Sequence, residues 1–222
     1  MSANGANMVT SYRALRFFVG VLGLALPPVL IVGGYFAGDG FLKTLSTYYH
    51  SESPLLRGYF VGTLSAGGAF LVCYKGYDSR DNWVANVAGF GALFAAIFPT
   101  SMEDCSPLSC AEMAFSNVHD ISTLVFLAAS TAMVLCQFRK TGTKPMTIGK
   151  AKRNCVYTFC GAFMLVGTAA LTILSLVESN IPYILLIVES LVILAFGAAW
   201  LVKALNPWES CTAFASPNGG ET

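Results

Sequence analysis

The chain has 222 residues, of which 55% are hydrophobic and only 11% are charged. Soluble domains usually carry about 25% charged residues, so this composition excludes an ordinary soluble protein and indicates an integral membrane protein surrounded by membrane lipids. The formal net charge is +1, and no basic block with interleaved aromatic residues occurs, which argues against nucleic acid as a partner.

Six apolar segments are long enough to cross a bilayer as helices, which takes roughly 20 residues each. In chain order they cover residues 17–37, 56–74, 83–99, 118–138, 156–177 and 181–202. The first segment is too long for the core of a cleavable signal peptide, and Pro27-Pro28 in its middle predicts a kink. The sequence thus predicts an all-α fold, one polytopic bundle of six transmembrane helices over residues 1–205, followed by a flexible tail over 206–222.

Lys and Arg are distributed unequally between the two ends of these segments. Most of the 13 basic residues precede the first segment, lie in the connections at 75–82 and 139–153, or follow the last segment at Lys203. The other side carries only Lys43 and Arg57. Because cytoplasmic connections carry the excess of basic residues in membrane proteins, both termini are predicted to be cytoplasmic.

The seven cysteines show no C-x-x-C spacing typical of a metal site. Cys105 and Cys110 differ from the others because they share one polar connection, CSPLSC, on the predicted outer side. If that side is oxidising, a local disulfide is expected there. Two free thiols in a tight loop are the alternative, and the spacing favours neither.

Glu189 is the only charged residue deep within any predicted segment. An ionised carboxylate at that depth costs a few kcal/mol, so Glu189 is expected either to be protonated or to meet a donor, a cation or a metal ion inside the bundle. His50, Arg57 and His119 are predicted to lie in the same outer half of the membrane.

Two imidazoles and one carboxylate form the ligand set of several zinc hydrolases. The sequence therefore suggests an outward-facing polar pocket in which His50, His119 and Glu189 hold a metal ion, with zinc as the expected cofactor. The candidate catalytic groups are polar residues predicted near the same end of the bundle: Arg57, Asp104 and Asp120. The simpler alternative for each is a structural role, such as hydrogen bonding at a helix end or contact with lipid headgroups.

A second polar cluster opens the third segment on the predicted cytoplasmic side. Its members are Tyr77, Asp78, Asp81, Asn82 and Asn86. An Asp just before a helix caps the free amide groups of its first turn, so a tight, capped connection is the favoured interpretation. A binding site for a lipid headgroup or a protein partner is the alternative.

Several blocks, YYH, RGYFVGTL, YKGYDSRDNWVANVAGFGALFAAIFPT and ESLVILAFGAAWLVKA, together resemble a family of small prokaryotic integral membrane proteins of unknown function. The similarity covers roughly residues 46–205 and implies a multi-pass helical protein of the prokaryotic inner membrane. More loosely, the chain is similar to the membrane hydrolases that include alkaline ceramidases and to DRAM/Frag-type membrane proteins. The hydrolases' paired-histidine motif in the last span is replaced here by Glu189.

Three functions remain open on this evidence. The first is a metal-dependent hydrolase that acts on a lipid or amide substrate of the outer leaflet. The second is a channel or an ion- or proton-coupled transporter in which Glu189 binds the ion. The third is a non-catalytic scaffold or sensor in which Glu189 only bonds a neighbouring helix.

Overall fold

The computed structural model describes residues 3–101, 110–141, 146–177 and 181–208. All regular structure in these ranges is helical, as the sequence predicts. Six long helices follow one another: α1 Ala3–Ala37, α2 Pro54–Cys73, α3 Ser79–Ile97, α4 Cys110–Ala132, α5 Ile148–Leu176 and α6 Ile184–Leu205. A short 3₁₀ helix, Ser46–His50, lies in the α1–α2 loop, and a π-helical turn, Met133–Gln137, extends α4. Each predicted segment coincides with one of the six helices.

Five of the helices are long and apolar enough to cross a membrane, namely α1, α2, α4 with its π-helical turn, α5 and α6. The remaining helix, α3, begins with the polar stretch SRDN, which lowers its mean hydropathy. Its buried face consists mostly of Ala and Gly, and it packs against both α2 and α4. Small side chains let neighbouring backbones approach closely, so α3 packs tightly between α2 and α4 without large apolar residues on its buried face.

Glycines set the closest helix contacts of the bundle. At the α2–α3 contact, a Cβ added to Gly68 would lie 2.8 Å from the carbonyl oxygen of Gly89. At the α1–α6 contact, a Cβ added to Gly197 would lie 2.7 Å from the amide nitrogen of Leu24. By contrast, α4 packs tightly on α3 but only lightly on α5. The bundle is therefore open between α4 and α5.

We call one end of the bundle the basic end. Helices α1, α3 and α5 start there, and helices α2, α4 and α6 end there. Arg13 Nε donates to the Ala204 carbonyl at 2.9 Å, which joins the start of α1 to the end of α6. The Lys75 amide donates to the Tyr12 hydroxyl at 2.8 Å, which places the end of α2 beside them. Lys140, just after α4, forms an ion pair with the start of α3 through Asp78 at 2.9 Å.

The interior of the basic end is a cluster of buried aromatic rings. Trp200 packs edge to face against Tyr74, with centroids 5.1 Å apart, and against Phe138 at 4.9 Å. Phe138 in turn contacts Tyr157 at 5.5 Å. Edge-to-face pairs of this kind add to the stabilisation that burial alone provides. The cluster links α6, the ends of α2 and α4, and the start of α5.

The close contact between α1 and α6 leaves no space for an added methyl group at Gly197. Gly197→Ala should lower the free energy of unfolding by about 1–3 kcal/mol, because the new Cβ overpacks a backbone contact. Gly62→Ala is the matched control, since a Cβ there meets nothing within 4 Å and Ala favours the helix over Gly by roughly 0.5–1 kcal/mol. Unfolding in an SDS titration of the purified protein measures both. Equal stability of the two variants would contradict the proposed close approach.

Candidate ligand-binding cavity

The chain just after α3 is held by both histidines. Phe98 precedes Pro99, and a residue before proline is restricted to extended backbone, so Phe98 adopts φ −87° and ψ 131° and the helix ends. His119 Nδ1 lies 2.9 Å from the Phe98 carbonyl oxygen, and His50 Nε2 lies 2.7 Å from the Thr100 carbonyl oxygen. Carbonyl oxygens only accept hydrogen bonds, so each of these ring nitrogens is a donor.

The hydrogen bond to Phe98 determines which ring nitrogen of His119 has no partner. The ring is 1% exposed, and its Nδ1–H is used by Phe98. In the neutral ring, Nε2 is then the acceptor. Nε2 is buried and has no hydrogen-bond partner in the part of the chain that the structure describes. A buried polar atom without a partner is costly and uncommon, so this nitrogen calls for a water molecule or a ligand.

A cavity of about 460 Å³ lies beside His119, between α4, α5, α6 and the α1–α2 loop. Thr123 and Thr168 also line it, and the hydroxyl oxygen of each is buried without a partner among the described residues. Asp120 and Glu189 add two carboxylates to the lining, and further Ser and Thr residues add hydroxyl groups. Three residues with an unpartnered polar atom and two acids therefore surround one space.

The apolar part of the cavity wall reaches the outside of the bundle. Leu124, Leu171 and Leu185 line it together with Ile121 and Leu176. Ile121 is 63% exposed and Leu176 is 78% exposed, and they lie on α4 and α5, the two helices that pack lightly on each other. The cavity is therefore open sideways, between α4 and α5.

Glu189 meets the α1–α2 loop. Its Oε2 accepts from the Leu45 amide at 2.8 Å, and its Oε1 accepts from the Ser46 hydroxyl at 3.2 Å. Leu45, Ser46 and Tyr48 are buried, so this loop folds into the bundle rather than over it. The carboxylate supplies acceptors to a buried backbone segment that lacks its own helical partners. That contact accounts for a carboxylate within an apolar helix.

The other predicted site residues are dispersed. His50 does not line the cavity, and Arg57 is exposed and donates from Nη2 to the Ser51 carbonyl at 2.9 Å. Asp104, Cys105 and the side chain of Cys110 lie outside the described residues, as does most of the predicted tail, and with them one candidate catalytic group and the predicted disulfide.

The predicted zinc ligands do not form a metal site in the structure. His119 and Glu189 line the same cavity, but His50 does not line it and uses its Nε2 for the Thr100 carbonyl. Within the described ranges, no three His, Cys, Asp or Glu side chains are grouped so that they could hold a metal ion. The residues therefore point to a cavity with one imidazole and two carboxylates and not to a three-ligand centre.

The polar cluster at the start of α3 forms a capped connection. Asp78 accepts from the Asp81 amide at 2.9 Å, and Asn82 Oδ1 accepts from the Gly76 amide at 2.7 Å. Asp81 Oδ2 accepts from the Tyr77 amide at 3.1 Å. The hydrogen bonds from the Asp81 amide and the Lys140 ammonium lower the pKa of the Asp78 carboxyl.

Asn86 completes that predicted set and stands apart from the capped turn. Its Oδ1 is buried without a partner among the residues described. The other four members, together with Lys140, fix the α2–α3 connection against the end of α4. The structure therefore gives these four a structural role in the fold.

Several residues of the cavity carry no sequence motif. Thr123 and Thr168 are hydroxyl residues within largely apolar helices, and Leu45 and Phe98 contact the cavity residues Glu189 and His119 through their backbone. The one local signal is the spacing of Thr168 and Thr172, which places two hydroxyls on one face of α5. Both of these threonines line the cavity.

Comparison of the chain with models of protein families, with curated proteins and with solved structures gives no match. The resemblance to small prokaryotic membrane proteins therefore stays a prediction.

Glu189 should be required for the stability of the α1–α2 loop. Glu189→Ala leaves the Leu45 amide and the Ser46 hydroxyl without acceptors, which should lower the free energy of unfolding by about 1–3 kcal/mol. Glu189→Gln keeps one amide oxygen as an acceptor and should cost less. Ser46→Ala, which removes only one of the two bonds, is the control. The assignment fails if Glu189→Ala unfolds at the same SDS fraction as the unmodified protein.

Proposed function

We propose that this chain binds a small amphipathic molecule in the cavity between α4, α5 and α6. The observation that carries the proposal is that three residues lining one cavity, His119, Thr123 and Thr168, each hold a buried polar atom without a hydrogen-bond partner among the described residues. Its volume of about 460 Å³ lies within the range of roughly 300–1,000 Å³ found for small-molecule sites. A ligand there would satisfy groups that the protein leaves without partners.

The wall of the cavity suggests the chemistry of the ligand. Leu124, Leu171 and Leu185 offer apolar contact, while His119 Nε2 and the carboxylates of Asp120 and Glu189 offer acceptors. Glu189 already receives two hydrogen bonds, but an ionised carboxylate can accept about four. The wall thus favours an alkyl chain with a head that donates hydrogen bonds or is cationic, such as a primary amine.

The proposal includes a topology of six spans. Arg13, near the start of α1, donates a hydrogen bond to the end of α6. These two helix ends therefore lie on the same side of the membrane, so the chain must cross it an even number of times between them. Phe98 and Phe115, with ring centroids 5.8 Å apart, join the end of α3 to the first turns of α4, whereas the start of α3 lies at the basic end. This favours α3 as a sixth span. The excess of Lys and Arg at the basic end favours cytoplasmic termini and an outward-facing cavity.

Hydrolysis of the bound amphiphile is the second candidate, and one observation favours it. Because His119 Nδ1–H donates to the Phe98 carbonyl, the ring is oriented and its Nε2 is the basic nitrogen. A base oriented in this way can take a proton from a water molecule in the cavity. Transport is less well supported, because buried Phe126, Phe196 and Trp200 fill the bundle towards the basic end.

The two histidines allow a direct test of binding. In protein labelled with ¹⁵N at histidine and reconstituted in lipid nanodiscs, octylamine should shift the Nε2 resonance of His119 and leave His50 unchanged. Octanol should shift it less, and octanoate should have no effect, because the cavity carries two acids. His119→Gln assigns the signals, and Asp120→Asn should weaken the response to octylamine.

Equal effects of the three compounds, or equal shifts of both histidines, would show only general partitioning into the bilayer and would overturn the proposal. The same preparation separates binding from hydrolysis. N-octanoyl octylamine should be cleaved to amine and acid by the unmodified protein and not by His119→Gln if the second candidate is right. It should be bound without cleavage if the first is right.

The topology is tested by single cysteines introduced into a background without the native ones. Arg80 and Ser101 are exposed and bracket α3, and Glu52 is exposed in the α1–α2 loop. On intact cells, a membrane-impermeant maleimide should label Glu52→Cys and Ser101→Cys, and should label Arg80→Cys only after permeabilisation. Labelling of Arg80→Cys and Ser101→Cys from the same side would exclude α3 as a span.

A further inference from the structure

Four cationic side chains from three helices meet at the basic end. They are Arg16 of α1, Lys150 and Arg153 of α5, and Lys203 of α6. Lys203 lies within electrostatic range of the other three and of the carboxylate of Asp81, and Lys150 lies within range of Arg153. None of the four is highly exposed, and Arg153 is only 8% exposed. We call these four residues the cationic cluster.

Aromatic rings hold two members of the cluster in place. Lys203 Nζ lies 5.2 Å from the Phe138 ring centroid and 5.4 Å from that of Tyr77. The guanidinium carbon of Arg16 lies 4.5 Å from the Tyr12 ring centroid. Such cation–π contacts orient a positive charge but do not neutralise it.

Backbone carbonyls hold the other two members. Lys150 Nζ donates to the Phe138 carbonyl at 2.7 Å, and Arg153 Nη1 donates to the Pro207 carbonyl at 2.8 Å. A neutral carbonyl satisfies one N–H of each group and leaves the net charge in place. Phe138 is therefore shared, because its ring contacts Lys203 and its carbonyl contacts Lys150.

Among the residues that the structure describes, Asp81 is the carboxylate whose charge acts on Lys203, so one negative charge faces four positive ones. The ion pairs found there are those of Lys140 with Asp78 and Asp81, at 2.9 Å and 2.5 Å. Asp81 is thus already engaged by a cation outside the cluster. Within the cluster, Arg16 Nε is buried and has no hydrogen-bond partner among these residues.

We propose that the cationic cluster binds a phosphate group. Like charges held together away from bulk water repel one another strongly, and a bound anion removes that repulsion. A phosphate offers several acceptor oxygens and more than one charge, which suits two guanidinium forks and two ammonium groups. The phosphate can come from the headgroup of an anionic lipid at this end of the bundle or from a soluble phosphate compound.

Thermal unfolding of the detergent-purified protein tests the site with two probes, inorganic phosphate and dihexanoyl phosphatidylglycerol. At least one of them should raise the melting temperature of the unmodified protein in a saturable way. Lys203→Gln and Arg153→Gln should each weaken that apparent affinity at least ten-fold. Lys152→Gln is the matched control, because Lys152 is exposed on α5 between two cluster members and should leave the affinity unchanged.

The two probes distinguish the sources. Stabilisation by inorganic phosphate that depends on Lys203 indicates a soluble phosphate ligand, and stabilisation by the phospholipid alone indicates a headgroup. The proposal is overturned if neither probe stabilises the protein, or if Lys152→Gln weakens binding as much as Lys203→Gln does. Lys150→Gln replaces any variant whose circular dichroism shows that it has not folded.

Discussion

The end of α3 at Phe98-Pro99 is the constraint on which the cavity depends. Proline removes a backbone donor and forces the preceding residue out of the helix, so the chain leaves the bundle with carbonyl oxygens that the helix no longer uses. Within a bilayer such groups need a donor from the protein itself. His119 and His50 provide one each, from α4 and from the α1–α2 loop, and so three segments are tied to one short stretch of chain.

Satisfying these carbonyls has a chemical consequence. A neutral imidazole that donates through Nδ1 presents Nε2 as its acceptor, so the end of the helix determines the tautomer of neutral His119 at the cavity. Glu189 follows the same logic on α6, where its carboxylate provides acceptors to the buried start of the 3₁₀ helix. Two polar side chains thus stabilise two non-helical segments, and the cavity is the space between them.

The helices could be predicted from the sequence because the length of an apolar run is a local property. The cavity could be predicted only in part. His119, Asp120 and Glu189 share it as expected, but His50 and Arg57 do not, although they lie in the same half of the bundle. The depth of a residue in the bundle follows from its position along a helix. The direction in which its side chain points depends on how the preceding loop folds. The partners of Glu189 and His119 include backbone groups of Leu45 and Phe98. Such partners cannot be recognised from the type of residue.

The two charged residues of α6 have different kinds of partner at the two ends of the bundle. Glu189 and Lys203 are its only charged residues, about 21 Å apart along the axis at 1.5 Å per residue. Hydrogen bonds from the chain itself satisfy the carboxylate. The ammonium meets aromatic rings and three further cations instead. Rings and carbonyls leave the positive charge in place, and the one carboxylate that acts on Lys203, Asp81, is already paired with Lys140. An anion at the basic end would therefore reduce the repulsion among these cations, whereas the hydrogen bonds of Glu189 do not depend on a cation.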